Sequence, residues 1–279
     1  MAITSGSTVA LALLDSASRL RLHSQFDSGV NLQHGDYLIY LSSDPLGGVC
    51  SLGVDRADVE VLRTSASWRW TGQALVGSSR RRVVELDPAA VRYPVEAPVL
   101  ATLSGDPGRL DRARTSVGAV SWFDSGIGRD VGLPRLRTAI ERLTSGGPDA
   151  PDAVRSVIGL GVGLTPSADD ALIGALCMLA AAGSPFSETS RHVGDWLRTE
   201  GAGATTDVSA SYLRLALEGA FSVPLNRTVL HLAEGVPDAR LAEAVRSLAQ
   251  IGATSGVDAA VGVQLAWECL VPAVSPDRS

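Results

Sequence analysis

Apolar and polar positions alternate along the first third of the chain in short runs that are typical of β-strands. The clearest runs lie at residues 37–41, 67–70 and 82–86, and the turn His34-Gly35-Asp36 precedes the first of them. Residues 57–62 share this character and are predicted as a further strand. Short strands at such spacing predict a β-rich domain, either a small barrel or a sandwich.

From about residue 107 the apolar positions recur with the period of an α-helix. The segments with this spacing are residues 110–123, 136–143, 195–199, 208–220 and 225–234. The apolar face of a further helix is formed by Leu241, Ala244, Val245 and Leu248. Gly252 closes that helix, and residues 145–151, Ser-Gly-Gly-Pro-Asp-Ala-Pro, are predicted to be a linker.

The pattern as a whole predicts an α+β fold. A β-rich N-terminal domain, residues 1–145, is expected to pack against a mostly α-helical C-terminal domain, residues 146–279, which carries a glycine-rich loop. The longest apolar run covers residues 171–183. Because that run is too short to cross a bilayer, no membrane role is expected.

Composition narrows the classes of function. The net charge is −6, so no face for nucleic acid is expected. All 24 basic residues are arginine, which excludes a lysine Schiff base and a Walker A phosphate loop. The three cysteines are scattered without metal-ligand spacing, and this usage predicts a reducing, cytoplasmic location.

The segment with the most chemical character is Gly-Leu-Gly-Val-Gly-Leu-Thr-Pro-Ser-Ala-Asp-Asp, residues 159–170, which leads directly into an apolar helix. Alternating glycines let the backbone turn sharply and bring its N–H groups close to a ligand. The helix start adds unpaired N–H donors and the positive end of the helix dipole. We expect a small anion, such as phosphate or a carboxylate, to bind here. The substrate-binding candidates are Gly161, Gly163, Leu164, Thr165 and Ser167.

The same residues allow a purely structural interpretation. Ser167 and Asp170 have the spacing of a capping box, which requires no ligand, and the glycines can simply permit tight packing. A capping box leaves Asp169 without a role, however, and Thr165 adds a hydroxyl just before it. Adjacent carboxylates beside an anion site favour either a divalent metal, Mg²⁺ or Mn²⁺, or recognition of an amino or amide group. Asp169 and Asp170 are therefore candidate catalytic residues.

A second segment repeats this pattern. Residues 255–262 share the sequence Ser-x-x-Asp-Ala-x-Ile/Val-Gly with residues 167–174. The two segments can be unrelated capped helices. Alternatively, the helices cross at Gly174 and Gly262, where the missing side chains permit close approach, and their N-termini converge on one pocket. The second hypothesis adds four substrate-binding candidates, Thr254, Ser255, Gly256 and Asp258.

A third block lies in the β-rich part of the chain, His-Ser-Gln-Phe-Asp-Ser-Gly-Val-Asn-Leu at residues 23–32. His23 is a candidate general acid or base, or an anion ligand. The alternative is an ordinary structural histidine at the edge of a strand. Asn31 in the same block is a further substrate-binding candidate.

Together the three blocks, residues 23–32, 159–174 and 252–262, resemble the AllH-type family, in the expected order and over nearly the whole chain. That family includes a subunit of bacterial oxamate carbamoyltransferase, which belongs to the anaerobic allantoin pathway of purine catabolism. The chain differs from the family pattern at Ala168, where glycine is common, and at Val257, where an aromatic residue is common.

The resemblance implies phosphorolysis of oxalurate to oxamate and carbamoyl phosphate, together with an FdrA-type chain and a further subunit. On this hypothesis the loop and its hydroxyls hold the phosphate or carboxylate. Asp169 or Asp170 then orients the carbamoyl nitrogen or holds a divalent ion. Two other functions stay open: a non-catalytic subunit that supplies structure or binds a ligand, and a metal-dependent hydrolase or lyase that uses Asp169, Asp170 and Asp258.

Overall fold

A computed structural model describes residues 2–44, 47–79, 82–101, 103, 106, 108–183, 187–201 and 203–271. The chain divides into two compact units, Met1–Val95 and Glu96–Ser279. The first is built of strands and the second of helices, which confirms the predicted α+β class with its β-rich N-terminal part and helical C-terminal part. The units divide about fifty residues before the boundary expected at residues 145 and 146, because the helices in between contribute to the helical core.

The described part of the first unit is a closed barrel of eight strands. The strands are β1 (Ala2–Ser7), β2 (Leu20–Phe26), β3 (Gly29–His34), β4 (Tyr37–Ser42), β5 (Ser51–Val54), β6 (Ser67–Trp70), β7 (Ala74–Gly77) and β8 (Val83–Tyr93). Their order around the barrel is β1-β5-β4-β3-β2-β6-β7-β8, and the parallel pair β1 and β8 closes it. Of the two architectures expected, the structure therefore adopts the barrel.

Two helices belong to the barrel unit, α1 (Thr8–Ser16) and α2 (Arg56–Leu62). The strand predicted at residues 57–62 is wrong, since this segment forms α2. Its buried residues are Asp58, Val59 and Leu62, which recur with the period of a helix rather than of a strand. The β-branched valines favoured a strand locally, but the burial of one helical face outweighs that weak propensity.

The second unit is helical. Its helices are α3 (Gly108–Ser116), α4 (Leu133–Ser145), α5 (Ala150–Arg155), α6 (Ser167–Ala181), α7 (Ser187–Arg198), α8 (Asp207–Leu217), α9 (Val223–Ala233), α10 (Asp238–Leu248) and α11 (Ser255–Leu270). A 3-10 turn (Trp122–Asp124) and a π-helical turn (Gly128–Gly132) lie between α3 and α4. The helical segments predicted from residue 136 onward are confirmed. The segment predicted at residues 110–123 is not one continuous helix, because α3 ends at Ser116.

The helices α6 and α11 form the centre of this unit, and most of their residues are buried. Because they are buried on every side, their sequences are apolar all around the helix, unlike those of the amphipathic helices that surround them. The expected linker is a tight connection inside the unit, where Gly146 ends α4 with a φ of 68° before α5 begins at Ala150. Within the described residues, no helix combines the length and apolar character needed to cross a membrane.

The two central helices cross where each carries a glycine. A Cβ atom added to Gly174 would lie 1.9 Å from the carbonyl oxygen of Ala259. One added to Gly262 would lie 1.7 Å from the carbonyl oxygen of Ala171. The contact is reciprocal, because Ala171 and Ala259 occupy equivalent positions of the repeated pattern. Backbones approach this closely only where a side chain is absent, so the predicted crossing at the two glycines is confirmed.

Replacing Gly262 by alanine is expected to lower the free energy of unfolding by about 1–3 kcal/mol, which is the usual cost of overpacking a core. Urea unfolding followed by circular dichroism measures the change. Gly194→Ala in α7 is the matched control, because its added Cβ would meet no atom closer than 3.9 Å. Alanine is the better helix former by about 1 kcal/mol, so the control should be stabilised. Equal stabilities for the two variants would contradict the close crossing.

Candidate functional site

The glycine loop, residues 159–165, turns sharply at three positions between α5 and α6. Gly159, Gly161 and Gly163 have φ angles of 81°, 125° and 95°, which residues with a side chain rarely adopt. Two of these glycines also pack tightly. An added Cβ would lie 2.0 Å from the Ala204 carbonyl oxygen at Gly159, and 2.5 Å from the Ser167 nitrogen at Gly161. Gly163 has no such close neighbour, so glycine is needed there only for the backbone angle.

The loop has consecutive backbone N–H groups that find no acceptor within the described part of the chain. No described residue accepts a hydrogen bond from the N–H groups of residues 161–165. The side chains of Val162 and Leu164 are 61% and 50% exposed, which places this part of the loop at the surface. Free donors of this kind, next to the start of a long helix, have the geometry that binds phosphate or carboxylate groups.

The central helices begin without the capping boxes that the sequence suggested. Their N-cap residues are Pro166 and Thr254, and neither helix start has a side-chain cap hydrogen bond. Ser167 is instead the first residue of α6, and its buried Oγ has no described partner in hydrogen-bond geometry. The structural interpretation of Ser167 and Asp170 as a capping box is therefore wrong. The Ser167 hydroxyl therefore lies at the helix start without serving as its cap.

The N-termini of α6 and α11 lie side by side. Thr165 Oγ1 and Ser255 Oγ are 2.8 Å apart. Burial raises the pKa of Asp170 and of Asp258, and a hydroxyl at the start of the opposite helix opposes each shift, Ser255 for Asp170 and Ser167 for Asp258. Equivalent residues of the repeat thus face each other crosswise. The two helices run in parallel from adjacent starts to their crossing, as the hypothesis of convergent N-termini required.

Gly256 and Thr254 have structural positions at the start of α11. A Cβ on Gly256 would lie 1.8 Å from the Leu248 carbonyl oxygen, so the missing side chain lets α11 pack closely on the end of α10. Thr254 is the N-cap residue, and its carbonyl accepts a hydrogen bond from the Asp258 N–H at 2.8 Å. Gly256 is therefore required by packing, whatever its part in ligand binding.

Asp169 is fully buried and anchors the glycine loop. Its Oδ1 accepts a hydrogen bond from the Gly159 N–H at 2.7 Å. Its Oδ2 accepts from the hydroxyls of Thr205 and Ser209, the second at 2.6 Å. Burial raises the pKa of Asp169, and these hydrogen bonds oppose that effect. The carboxyl thus ties the first turn of α6 to the beginning of the loop and to α8.

The start of α8 supports the loop as well. Thr206 is the N-cap of α8, since its side chain accepts from the Ser209 N–H at 3.1 Å. Its hydroxyl also donates to the Leu164 carbonyl oxygen at 2.6 Å. Sequence reasoning missed Thr205, Thr206 and Ser209. Two threonines just before a helical pattern are a typical N-cap signal that could have found them.

Asp258 anchors the 3-10 turn by accepting hydrogen bonds, as Asp169 anchors the glycine loop. Its Oδ1 accepts from the Ser121 hydroxyl and from the Trp122 N–H, the latter at 3.1 Å. Ser121 also forms a capping box with Asp124 at the 3-10 turn. Burial raises the pKa of Asp258, and hydrogen bonds, first that from Ser121, oppose it. Ser121 was not predicted, although its spacing to Asp124 is the signal of a capping box.

Asp170 differs from the other two acids. All three are buried, and the Oδ2 atoms of Asp170 and Asp258 have no described partner, but Asp170 alone accepts no hydrogen bond at its other oxygen from the described residues. Burial raises the pKa of Asp170 well above its usual range. The hydroxyls of Thr165 and Ser255 oppose this shift, while the charges of Asp258 and Asp169 add to it. This environment favours the neutral, protonated carboxyl.

His23 and Asn31 lie in the barrel unit, on the paired strands β2 and β3. The pairing of these strands shifts between Leu22 and Ser24, which places His23 at a β-bulge. Ser24 Oγ lies 3.1 Å from His23 Nδ1 and accepts from Asn31 Nδ2 at 3.0 Å. The two predicted residues are therefore joined through Ser24, and their functional roles stay predictions.

The buried acids do not have the arrangement of a metal site. Among the described residues, no group of three His, Cys, Asp or Glu side chains is placed to hold a metal ion. Both oxygens of Asp169 and the Oδ1 of Asp258 are already occupied by N–H and O–H donors, which a cation would have to displace. These three acids therefore do not fit the Mg²⁺ or Mn²⁺ site that the sequence left open, and the metal-dependent hydrolase or lyase stays a hypothesis.

The region that contains this site matches a known protein family. Residues 157–267 match the family model described as oxamate carbamoyltransferase subunit AllH. The matched segment runs from just before the glycine loop to near the end of α11, so it contains all three buried acids. The resemblance inferred from the sequence motifs is confirmed over this segment. No solved structure matches the chain.

Replacing Asp169 by alanine is expected to destabilise the helical unit by several kcal/mol. The change orphans the Gly159 N–H and the Thr205 and Ser209 hydroxyls, and each buried donor left unsatisfied costs about 1–3 kcal/mol. Urea unfolding measures this loss. Asp152→Ala is the control, because that side chain is 82% exposed and its removal should change stability by less than about 0.5 kcal/mol. Similar small effects for both variants would refute the anchoring role.

Replacing Asp170 by asparagine is expected to stabilise the protein relative to the wild type increasingly as the pH rises. The folded-state pKa of Asp170 lies above its unfolded value. Its contribution to stability is therefore full at low pH and is lost between the unfolded and folded pKa values. Asparagine does not titrate, so the gain should approach about 1.4 kcal/mol per pH unit within that window.

Urea unfolding from pH 4.5 to pH 8 would show this trend as a slope in the difference between Asp170→Asn and wild type. The exposed substitution Asp152→Asn serves as the control and should give a flat difference. A flat difference for Asp170→Asn would show that the pKa of this carboxyl is not raised by folding.

Proposed function

Residues 157–267 belong to the AllH-type family, and on that premise we propose that the chain is a subunit of a carbamoyltransferase that acts on a small anionic ureido compound. The reaction is phosphorolysis of oxalurate, which yields oxamate and carbamoyl phosphate. Other subunits, among them an FdrA-type chain, complete the enzyme. The role of this subunit is to bind the anionic substrate or phosphate at the glycine loop.

The observation that carries this proposal is the run of free N–H groups at residues 161–165. Their orientation is fixed by neighbouring structure. The Asp169 carboxylate holds one end of the loop at Gly159, and Thr206 holds the carbonyl of Leu164 at the other. A rigid array of backbone donors binds an anion without the entropy cost of ordering flexible side chains.

The reaction chemistry suits such a site. When phosphate attacks the carbamoyl carbon, negative charge develops on the carbonyl oxygen. Preorganised N–H donors aimed at that charge stabilise the transition state more than the ground state. The hydroxyls of Thr165 and Ser255, 2.8 Å apart at the end of the loop, are placed to complete the set of donors. No nucleophilic side chain is needed.

The three buried acids then have separate tasks. Asp169 and Asp258 position the loop and the 3-10 turn through the hydrogen bonds they accept. The pKa of Asp170 is the one that the Thr165 and Ser255 hydroxyls affect, and Asp170 accepts no hydrogen bond that fixes a neighbouring loop or turn. Of the two adjacent acids weighed from the sequence, Asp170 is therefore the one that we assign to the reaction.

A second candidate function, a non-catalytic subunit that binds a ligand, is favoured by the charges around the loop. Residues 159–165 contain no charged side chain. No described arginine or histidine donates a hydrogen bond to them. Cationic side chains that neutralise a bound phosphate would therefore have to come from outside the loop. In this alternative the chain binds a regulatory or structural ligand, and a different subunit performs the chemistry.

Gly163→Ala is expected to weaken anion binding about tenfold or more. The added Cβ fits, because the nearest atom would be 3.8 Å away, but alanine is strained by about 1–2 kcal/mol at a positive φ. Relief of that strain re-aims the free N–H groups. Calorimetric titration with phosphate, oxamate and carbamoyl phosphate, on the full chain and on the assembled complex, measures the loss.

The matched control is Gly219→Ala, at the end of α8. Gly219 has a φ of 86° and no atom within 4 Å of an added Cβ. The control should therefore suffer similar backbone strain but bind anions like the wild type. Wild-type affinity in Gly163→Ala would remove the loop from the binding site. Transfer activity in a complex whose loop binds no anion would favour the non-catalytic alternative.

A further inference from the structure

The repeated pattern places two equivalent acids at the starts of α6 and α11, and only one of them is used structurally. Asp258 Oδ1 accepts hydrogen bonds from Ser121 and Trp122. Its counterpart Asp170 accepts no corresponding bond from a neighbouring turn, and the Oδ2 atoms of both acids are buried without a described hydrogen-bond partner. A buried polar atom without a partner is costly. Such an atom calls for an explanation, and a catalytic role is one of those known.

Two hydroxyl groups lie between Asp170 and the glycine loop. The hydroxyls of Thr165 and Ser255 are near enough to the carboxyl to act on its pKa, although neither forms a hydrogen bond with it in standard geometry, and they are themselves 2.8 Å apart. Thr165 is only half-buried, and its backbone N–H is one of the free donors of the loop. A short chain of oxygen atoms therefore connects a buried carboxyl with the proposed anion site.

We propose that Asp170 is the proton source for the leaving group, and that its proton reaches the substrate through the hydroxyls of Ser255 and Thr165. The inference rests on the proposed function, and it deepens that function by assigning the proton that the departing nitrogen requires. In this proposal Thr165 contacts the substrate, whereas Asp170 does not contact it and supplies the proton through the two hydroxyls.

The step balances as follows. A phosphate oxygen forms a bond to the carbamoyl carbon, and the bond from that carbon to the amide nitrogen of oxamate breaks, its electron pair going to the nitrogen. The nitrogen takes the hydroxyl proton of Thr165, which is replaced through Ser255 from the Asp170 carboxyl. Asp170 is left as a carboxylate. The proton that hydrogen phosphate loses on attack restores it, so no further reactant is needed.

The charges near Asp170 support this assignment. Burial raises the pKa of Asp170 well above its ordinary value. The charged groups that act on it, the carboxyls of Asp258 and Asp169, also disfavour its ionisation. A carboxylic acid that stays protonated near neutral pH is the kind of group that serves as a general acid.

Infrared difference spectroscopy tests the protonated state on the full chain, without any reaction. Wild type minus Asp170→Asn at neutral pH is expected to show the carbonyl band of a protonated carboxylic acid, shifted in D₂O. The exposed control Asp152→Asn should instead remove a carboxylate band. A carboxylate band at Asp170 would overturn the proposal, even if the loop binds anions as expected.

Leaving-group dependence tests the proton transfer in the assembled complex. A general acid contributes about 10²–10⁴-fold to rate, and it matters less when the leaving nitrogen is a weaker base. We therefore expect Asp170→Asn to lower kcat strongly with oxalurate and progressively less with ureido substrates of better leaving groups. Phosphate binding should change little.

Two comparisons separate proton transfer from structural damage. Asp258→Asn makes the same change at the equivalent position of the repeat, and any loss of kcat there should be equal for all leaving groups. Thr165→Val should behave like Asp170→Asn, while Thr165→Ser, which keeps the hydroxyl, should recover most of the rate. A deficit in Asp170→Asn that is the same for every leaving group would overturn the relay. Loss of anion binding in Gly163→Ala with an intact relay signature would leave both proposals standing.

Discussion

The close contact of α6 and α11 is the constraint on which the rest of the helical unit depends. Gly174 and Gly262 let the two backbones touch, and because the helices run in the same direction, their N-termini are brought together about two turns earlier. The same approach that joins Thr165 to Ser255 also removes three carboxyls from water. Every polar group at these helix starts must then find a partner, lose its charge, or carry a function.

The three acids satisfy that requirement in different ways. Asp169 and Asp258 accept hydrogen bonds from backbone and hydroxyl donors, and so fix the loop and the 3-10 turn. Asp170 accepts no such bond from the described residues, and in a low-dielectric environment its protonated state is the more stable one. Stability and chemistry are therefore coupled here: the packing that holds the loop in place also prepares a neutral acid beside it.

Much of this site could be predicted from the sequence because its signals are local or periodic. The loop was found from its alternating glycines, and the crossing from the recurrence of Ser-x-x-Asp-Ala-x-Ile/Val-Gly in two apolar helices. The errors arose where a local signal competed with tertiary contacts. Ser167 and Asp170 have capping-box spacing, yet each faces the other central helix instead of its own first turn. Residues 57–62 have strand-like valines but bury one helical face.

The sequence by itself determined the α+β class, the positions of the glycine turns and the pairing of the two central helices, because these follow from backbone freedom and from the spacing of small and apolar residues. Only the tertiary structure decided which acids accept hydrogen bonds that fix neighbouring segments and which one does not. That outcome depends on Thr205, Ser209 and Ser121, which are distant in the chain from the acids they contact. Their meeting is set by three-dimensional packing, and no periodicity in the sequence encodes it.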